Sequence, residues 1–492
     1  MANFKVPLII RGKIIEDYEL EFGGRHASDY SFETPNVEKY ISSLVTTDPR
    51  SQFDLYEITL EEIYGYLEEL GSRFSLDTNP YWREAFEVSK HFSNLSAPVL
   101  ENIYRNCFGT FRRDRLREIV ETQIGSRYLE GWVPNQLANG STINVRAIGA
   151  RGVHVIAGNI PVVAAMTFMR SAITRSDTIV KLPSNDPLTA VAIARTAIDM
   201  APDHPITKHF SVAYWKGGDE NIESKIYLAA NIEKICAWGG YASIKHIAKY
   251  LGPGMDLITL DPKSSMSLIG KQALADEATM RTVAQRAAAD VGGWDQEACS
   301  NARVIFLESG TDEAGIAKAN QFGQYIYEAM QALPKTISGG PVYFDRTLLA
   351  EIQSILPLTD YYKVFTDRKQ IDKTGAIIVS QLGEQVDFVK LLYGRVANII
   401  PVDDINDALR SFSAATQTVG VYPDALRLKL RDKAAVMGGQ RFIPVGYAVA
   451  GGGIAAPQDG IEPERRMCRW ISDLHCDPVK NPGAWGAASA VI

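Results

Sequence analysis

Between residues 140 and 260, short unbroken apolar runs alternate with longer stretches in which apolar residues recur every three or four positions. The runs at 153–157, 178–182, 210–214, 234–238 and 256–260 predict strands, and the stretches at 162–175, 187–200, 222–230 and 241–251 predict helices. Strands that are apolar on both faces must be covered on both faces, so this alternation predicts a parallel sheet between two layers of helices. Ligands of such sheets sit beyond the carboxyl ends of the strands. At one of these ends Trp238-Gly239-Gly240 makes a strand-to-helix turn, where bare backbone N–H groups are able to face a phosphate. The chain contains no GxGxxG run.

Before this region the pattern is mainly helical. Residues 1–33 read as short strands and acidic loops, and Thr59 with Glu62 has the spacing of a capping box before a helix that Gly71 can end. Further helices are predicted over 78–93, 97–108 and 112–124, the last stopped by Gly125. A second α/β pattern follows over 271–436, with an alanine-rich amphipathic helix at 272–289 and a buried strand at 304–307. The tail from 437 carries Gly451-Gly452-Gly453, a Pro457-Gln458-Asp459-Gly460 turn and a predicted helix with Met467 and Trp470.

Composition narrows the function classes. The chain has 492 residues, enough for two or three domains, and its 58 acidic against 51 basic residues give a formal net charge of -7. That balance excludes a broad nucleic-acid footprint. The longest apolar stretch, 153–169, is broken by Asn159 and Pro161, so no membrane span is predicted. The apolar run at 6–10 is too short for a signal peptide, and the expected address is the cytosol. Five scattered cysteines without a CxxC pair predict neither a disulfide framework nor a structural zinc site.

One cysteine stands apart. Cys299, in Trp294-Asp295-Gln296-Glu297-Ala298-Cys299-Ser300, falls in a loop between a predicted helix and a predicted strand, a junction that can present a thiol in a cleft. Cys236 lies in an apolar strand and reads as core, as does His154. In chain order, Gly158-Asn159-Ile160-Pro161 follows one buried strand, Lys181-Leu182-Pro183-Ser184-Asn185 follows the next, Trp238-Gly239-Gly240 a later one, and the Cys299 loop comes after the sheet closes. This ordered set resembles the aldehyde dehydrogenase superfamily. Within it the segments Val155–Pro161 and Trp294–Ser300, Tyr128-Leu129-Glu130-Gly131-Trp132-Val133, Pro457-Gln458-Asp459-Gly460 and Met467-Cys468-Arg469-Trp470 are similar to the fatty acyl-CoA reductases of bacterial luminescence, the LuxC family.

The resemblance implies an aldehyde dehydrogenase-like α/β fold with two parallel-sheet domains and a small oligomerisation segment. The expected division is 1–125 with 151–270 for cofactor binding, 271–436 for catalysis, and 126–150 with 437–492 for subunit contact. It implies reduction of an acyl thioester to an aldehyde through an acyl-cysteine on Cys299, with Asn159 and the Cys299 backbone N–H holding the oxyanion. Lys181 is expected at the adenine ribose, with Gly239 and Gly240 at the cofactor. Ser184 stands where NAD-preferring relatives place a ribose-gripping glutamate, which favours NADPH. Tyr250, before Leu251-Gly252, is aligned with the glutamate that activates water in ordinary aldehyde dehydrogenases, and Leu391-Leu392-Tyr393-Gly394 with their Glu-x-Phe-Gly. The rival readings are an oxidising aldehyde dehydrogenase and a non-catalytic acyl-carrying subunit. The expected partners are an acyl-CoA or other acyl thioester, an acyl-transferring synthetase, and further copies of the chain.

Overall fold

In the computed structural model the described residues are 2–24, 30–260, 263–449 and 453–476. The predicted parallel sheet forms with the strand order Asp256–Leu260, Lys234–Trp238, Arg151–Val155, Asp177–Lys181 and Phe210–Ala213, all parallel. The N-terminal hairpin Leu8–Ile10 and Lys13–Ile15 extends it antiparallel at one edge. From Arg151–Val155 the chain first builds the sheet to one side, through Asp177–Lys181 and Phe210–Ala213. It then returns to lay Lys234–Trp238 on the other side. The order therefore reverses between Arg151–Val155 and Lys234–Trp238, and the crevice at such a reversal is where these sheets take their ligands.

Helices Val162–Ile173, Thr189–Met200, Glu220–Ile226 and Tyr241–Ala248 connect these strands. The front helices Leu60–Ser72, Pro80–Phe92, Ala97–Asn106 and Arg113–Gln123 share one apolar core with Val162–Ile173 and Thr189–Met200, with Trp82 and Tyr104 fully enclosed. The Thr59 capping box forms in both directions, the Glu62 carboxylate accepting the Thr59 N–H at 2.7 Å and the Thr59 hydroxyl accepting the Glu62 N–H at 3.2 Å.

A second sheet runs Tyr362–Phe365, Ala376–Ser380, Val396–Pro401, Ala302–Leu307, Ser264–Ile269, Thr416–Tyr422 and Arg441–Pro444, parallel except for its first strand. Two boundaries therefore differ from the sequence reading. Ser264–Ile269 pairs with Ala302–Leu307 in the second sheet, so the chain changes sheet between 260 and 264 and not at 270. Arg441–Pro444 pairs with Thr416–Tyr422, so the tail beyond 437 contributes a strand to this sheet before it leaves. The predicted tail helix is also shorter than expected. It spans Pro463–Met467, and Trp470 lies in the strand Cys468–His475, which pairs antiparallel with Thr142–Gly149 through eight residues. With Val133–Gln136 these strands make a separate three-stranded sheet. Gly451 and Gly452, and the end of the tail from 477, lie outside the described residues.

Candidate active site

The loop that carries Cys299 begins where helix Glu277–Gly292 ends. Trp294, Asp295 and Gln296 then take three consecutive left-handed conformations, with φ of 51°, 53° and 66°. A side chain with a β-carbon disfavours that region by roughly 1 kcal/mol or more per residue, so surrounding bonds must impose it. Asp295 and Gln296 are fully buried and supply those bonds. The Asp295 carboxylate accepts the Ser96 N–H at 2.8 Å, the Ser96 hydroxyl at 2.7 Å and the Gly340 N–H at 2.8 Å. The Gln296 amide donates to the carbonyls of Ala302 and Val396 at 3.0 and 2.9 Å and accepts the Val396 N–H at 2.8 Å. Buried Asn301 closes the loop, accepting the Ala298 N–H at 2.9 Å and donating to the carbonyls of Asp290 and Gly293. The Cys299 carbonyl takes the Ser265 hydroxyl at 2.7 Å. The polar run before the cysteine is thus a rigid mount.

Gln417, Asp459, Arg303 and Arg441 act on the half-buried sulfur. The Gln417 amide nitrogen is 3.1 Å from Cys299 Sγ and donates to it, and the same nitrogen donates to Asp459 Oδ1 at 2.5 Å. Burial pushes the Cys299 thiol up from its ordinary value; the Gln417 hydrogen bond pulls the other way, the Asp459 charge adds to the rise, and Arg303 opposes it. The guanidiniums of Arg303 and Arg441 are themselves held down by burial, and each would be supported by a negative charge on Cys299. From the other sheet comes Asn159, in the bend between Arg151–Val155 and Val162–Ile173. Its side-chain amide donates to the Glu297 carbonyl at 2.8 Å, two residues before the cysteine. The bend reaches this far because residue 158 is glycine: a β-carbon there would stand 2.4 Å from Asn185 Oδ1 and 2.8 Å from Pro183 Cγ.

At the reversal of strand order lies a cavity of about 290 Å³, lined by Val155, Lys181, Gly217, Gly218, Glu223, Ser243 and His246 among others. Burial draws the Lys181 ammonium down to about 8, against the opposing pull of Glu223. Glu223 accepts the Gly218 N–H at 3.2 Å and meets His246 Nε2 at 2.6 Å. Gly240 caps the helix Tyr241–Ala248, whose first turn contributes Ala242 and Ser243 to the cavity, and Gly239 approaches Ser243 closely. Ser184 is half-buried, three residues past Lys181. A cation, bare glycine backbone and apolar walls at a strand-end crevice fit the adenosine half of a dinucleotide.

Several residues fall elsewhere than the sequence reading had them, or were missed by it. Tyr250 packs edge-on against Tyr227 and His246, beside the Lys181 cavity, as part of the core between the first sheet and its helices. Gln417 was missed; it lies in the strand Thr416–Tyr422 between Thr416 and Thr418, all three buried polar residues. Asp459 read only as turn punctuation, and Arg303 was left just before the strand predicted at 304–307. His154 is core: burial pulls its imidazole down to about 3. Cys107, Cys236 and Cys468 are buried and Cys476 is exposed. Among the described residues no cluster of acidic, histidine or cysteine side chains has the form of a metal site.

The fold is that of the aldehyde dehydrogenases. Lactaldehyde dehydrogenase from Escherichia coli superposes with a TM-score of 0.72 over 96% of this chain and 99% of its own, at 13% identity. An NADP-dependent glyceraldehyde-3-phosphate dehydrogenase from Bacillus halodurans, solved in complex with NADP, superposes at 0.70 over 96% and 99%, also at 13% identity. Within this class, residues 55–470 match the model of the acyl-CoA reductase (LuxC) family, and the chain belongs to that family. Similar relatives are the long-chain acyl-protein thioester reductase of Vibrio harveyi, 25% identical over 95% of this chain and 92% of its own, and that of Photorhabdus luminescens, 27% identical over 85% and 82%.

Proposed function

We propose that the protein reduces an acyl thioester to an aldehyde with NADPH, through an acyl group carried on Cys299. Membership of the acyl-CoA reductase family supports the reaction class, and the relatives named as long-chain acyl-protein thioester reductases support a fatty acyl group delivered by CoA or by a partner synthetase. The observation that carries the chemistry is one rigidly mounted thiol that takes a hydrogen bond from Gln417, with Arg303 and Arg441 close enough to feel its charge and the Asn159 amide held on the Glu297 carbonyl two residues away.

The thiolate of Cys299 attacks the thioester carbonyl, and the donor leaves as a thiol after taking a proton. One thioester replaces another, so the exchange is close to neutral in free energy. Thiolate is the attacking form of cysteine, and cationic neighbours favour it. Each addition to the carbonyl builds an oxyanion, and the Asn159 amide with the Cys299 N–H are the donors we assign to it; one such donor is worth about 3–4 kcal/mol. The nicotinamide, when bound, supplies the hydride. Breaking the carbon–sulfur bond of the resulting thiohemiacetal returns Cys299 and releases the aldehyde.

Lys181 would hold the ribose end of the cofactor, with Gly239, Gly240 and Ser243 near its phosphates. Ser184 supports NADPH over NADH because a hydroxyl can donate to a 2′-phosphate where a carboxylate would repel it. Glu223 brings a carboxylate to the same cavity, but His246 and the Gly218 N–H engage it. Its reductase chemistry and five free thiols agree with a cytosolic enzyme. Among the described residues no helix is long and apolar enough to cross a membrane.

The test is mass spectrometry after incubation with long-chain acyl-CoA and no cofactor, followed by turnover with NADPH. The wild type gains one acyl group on the Cys299 peptide, and Cys299→Ala neither gains it nor makes aldehyde. Acylation that persists in the alanine variant would assign the nucleophile to another cysteine.

A further inference from the structure

The sulfur of Cys299 carries a full negative charge twice in the proposed cycle: when it attacks the thioester, and when the thiohemiacetal carbon–sulfur bond breaks and the electron pair returns to it. A donor fixed on that sulfur acts in both steps. Gln417 is such a donor, 3.1 Å from Sγ, on the strand Thr416–Tyr422. Ser265 ties that strand to the cysteine: its hydroxyl donates to the Cys299 carbonyl at 2.7 Å and accepts the Thr418 N–H at 3.1 Å.

An amide has two ends, and only one of them donates. Asp459 decides which end faces the sulfur. Its carboxylate accepts from Gln417 at 2.5 Å, and an ionised carboxylate only accepts, so the nitrogen must lie on that side. The two hydrogens of that nitrogen then serve the carboxylate and the sulfur. Asp459 is held in place from behind: it sits in a left-handed bend with φ 54°, and its neighbour Gln458 accepts the Arg170 guanidinium at 2.9 Å. Arg170 is in turn locked to Glu464 at 2.8 Å, with both side chains essentially without solvent contact.

We propose that Gln417 is a catalytic residue that donates to the Cys299 sulfur in attack and in collapse, and that Asp459 is a positioning residue that orients the Gln417 amide. The proposal rests on Cys299 being the acyl-carrying nucleophile. Asp459 also sets a limit on the effect, because its own negative charge stands beside the sulfur. The two residues therefore act on the thiolate in opposite directions: the amide favours it and the carboxylate charge disfavours it.

That opposition supplies the test. The rate of alkylation of the Cys299 peptide by iodoacetamide is followed against pH in the full-length protein, together with single-turnover acylation by acyl-CoA. Gln417→Leu is expected to move the alkylation midpoint to higher pH and to slow acylation about tenfold to a hundredfold, the range for a hydrogen bond to a charged group. Asp459→Asn keeps an acceptor for the Gln417 amide while removing the charge, and is expected to move the midpoint to lower pH. A loosened fold would shift both variants the same way, so shifts of the same sign, or none, overturn the proposal. If Gln417→Leu does not fold, Gln417→Met, which keeps the length of the side chain without the donor, is measured in its place, and a midpoint that does not rise there is sufficient to reject it. Wild-type protein that takes up no acyl group on Cys299 would instead sink the nucleophile assignment itself; acylated wild type with unmoved midpoints removes only the roles of Gln417 and Asp459.

Discussion

Asn159 belongs to the first sheet and Cys299 to the second, and one hydrogen bond, from the Asn159 amide to the Glu297 carbonyl, joins them at the reacting centre. Replacing Asn159 with Ala removes both that bond and the proposed oxyanion donor. Turnover is expected to fall by about two to three orders of magnitude, with the melting temperature nearly unchanged. Steady-state kinetics beside a thermal melt check this, and a loss below about threefold reduces Asn159 to a bend residue. At the other end of the cofactor, Ser184→Glu is expected to move preference from NADPH toward NADH. A new carboxylate about 5 Å from the 2′-phosphate repels each unit of its charge by roughly 3 kcal/mol at an effective dielectric near 20, and solvent screening leaves tenfold or more in catalytic efficiency. The efficiency ratio for the two cofactors in wild type and variant is the measurement; an unchanged ratio would separate Ser184 from the ribose.

Among the elements, helix Val162–Ile173 and the short tail helix Pro463–Met467 are joined by Arg170 and Glu464, both side chains almost fully buried. Arg170→Met strands the Glu464 carboxylate there, and breaking a buried pair from one side costs about 3–5 kcal/mol. Chemical denaturation should show that loss, and pairing the change with Glu464→Leu should recover most of it. If the single variant is as stable as wild type, the pair contributes nothing to docking the tail. The parallel strands of the first sheet and their helices were legible in the sequence because those strands are apolar on both faces and the helices carry a 3.6-residue period; of the second sheet only the strand at 304–307 and the helix at 272–289 were marked in the same way. The tail was not. Cys468–His475 has one buried residue and is otherwise largely exposed, so no apolar alternation marks it as a strand; its pairing with Thr142–Gly149 decides its form. The site was legible in part for a related reason. Cys299, Asn159 and Lys181 sit at ends of regular elements, where pattern changes mark them. Gln417 and Asp459 reach the sulfur only through tertiary folding, and nothing local in either segment announces the other.

For the molecule as a whole, the three-stranded sheet of Val133–Gln136, Thr142–Gly149 and Cys468–His475 stands apart from the two large sheets, with Trp132, Ile471 and Leu474 exposed along it. A small sheet with an open edge and exposed apolar side chains gains most from a second copy of the chain. Sedimentation at micromolar concentration is expected to show an oligomer, and Ile471→Lys with Leu474→Lys is expected to dissociate it. A strictly monomeric wild type would remove this sheet from any subunit contact.

The route from Arg170 through Gln458 and Asp459 to the sulfur also has a temporal side. During synthesis Cys299 leaves the ribosome well before Asp459 and Glu464, and N-terminal parts of a chain fold first. Until the tail arrives, Gln417 has no carboxylate to set its direction, and Arg170 lacks its carboxylate partner in the core it must enter. The segment that carries Asp459 and Glu464, made after both large sheets, is thus the one that completes the nucleophile's surroundings. A chain stalled before Asp459 holds Cys299 without the arrangement proposed to make it productive, so efficient acylation of Cys299 is expected only once Asp459 and Glu464 are in place.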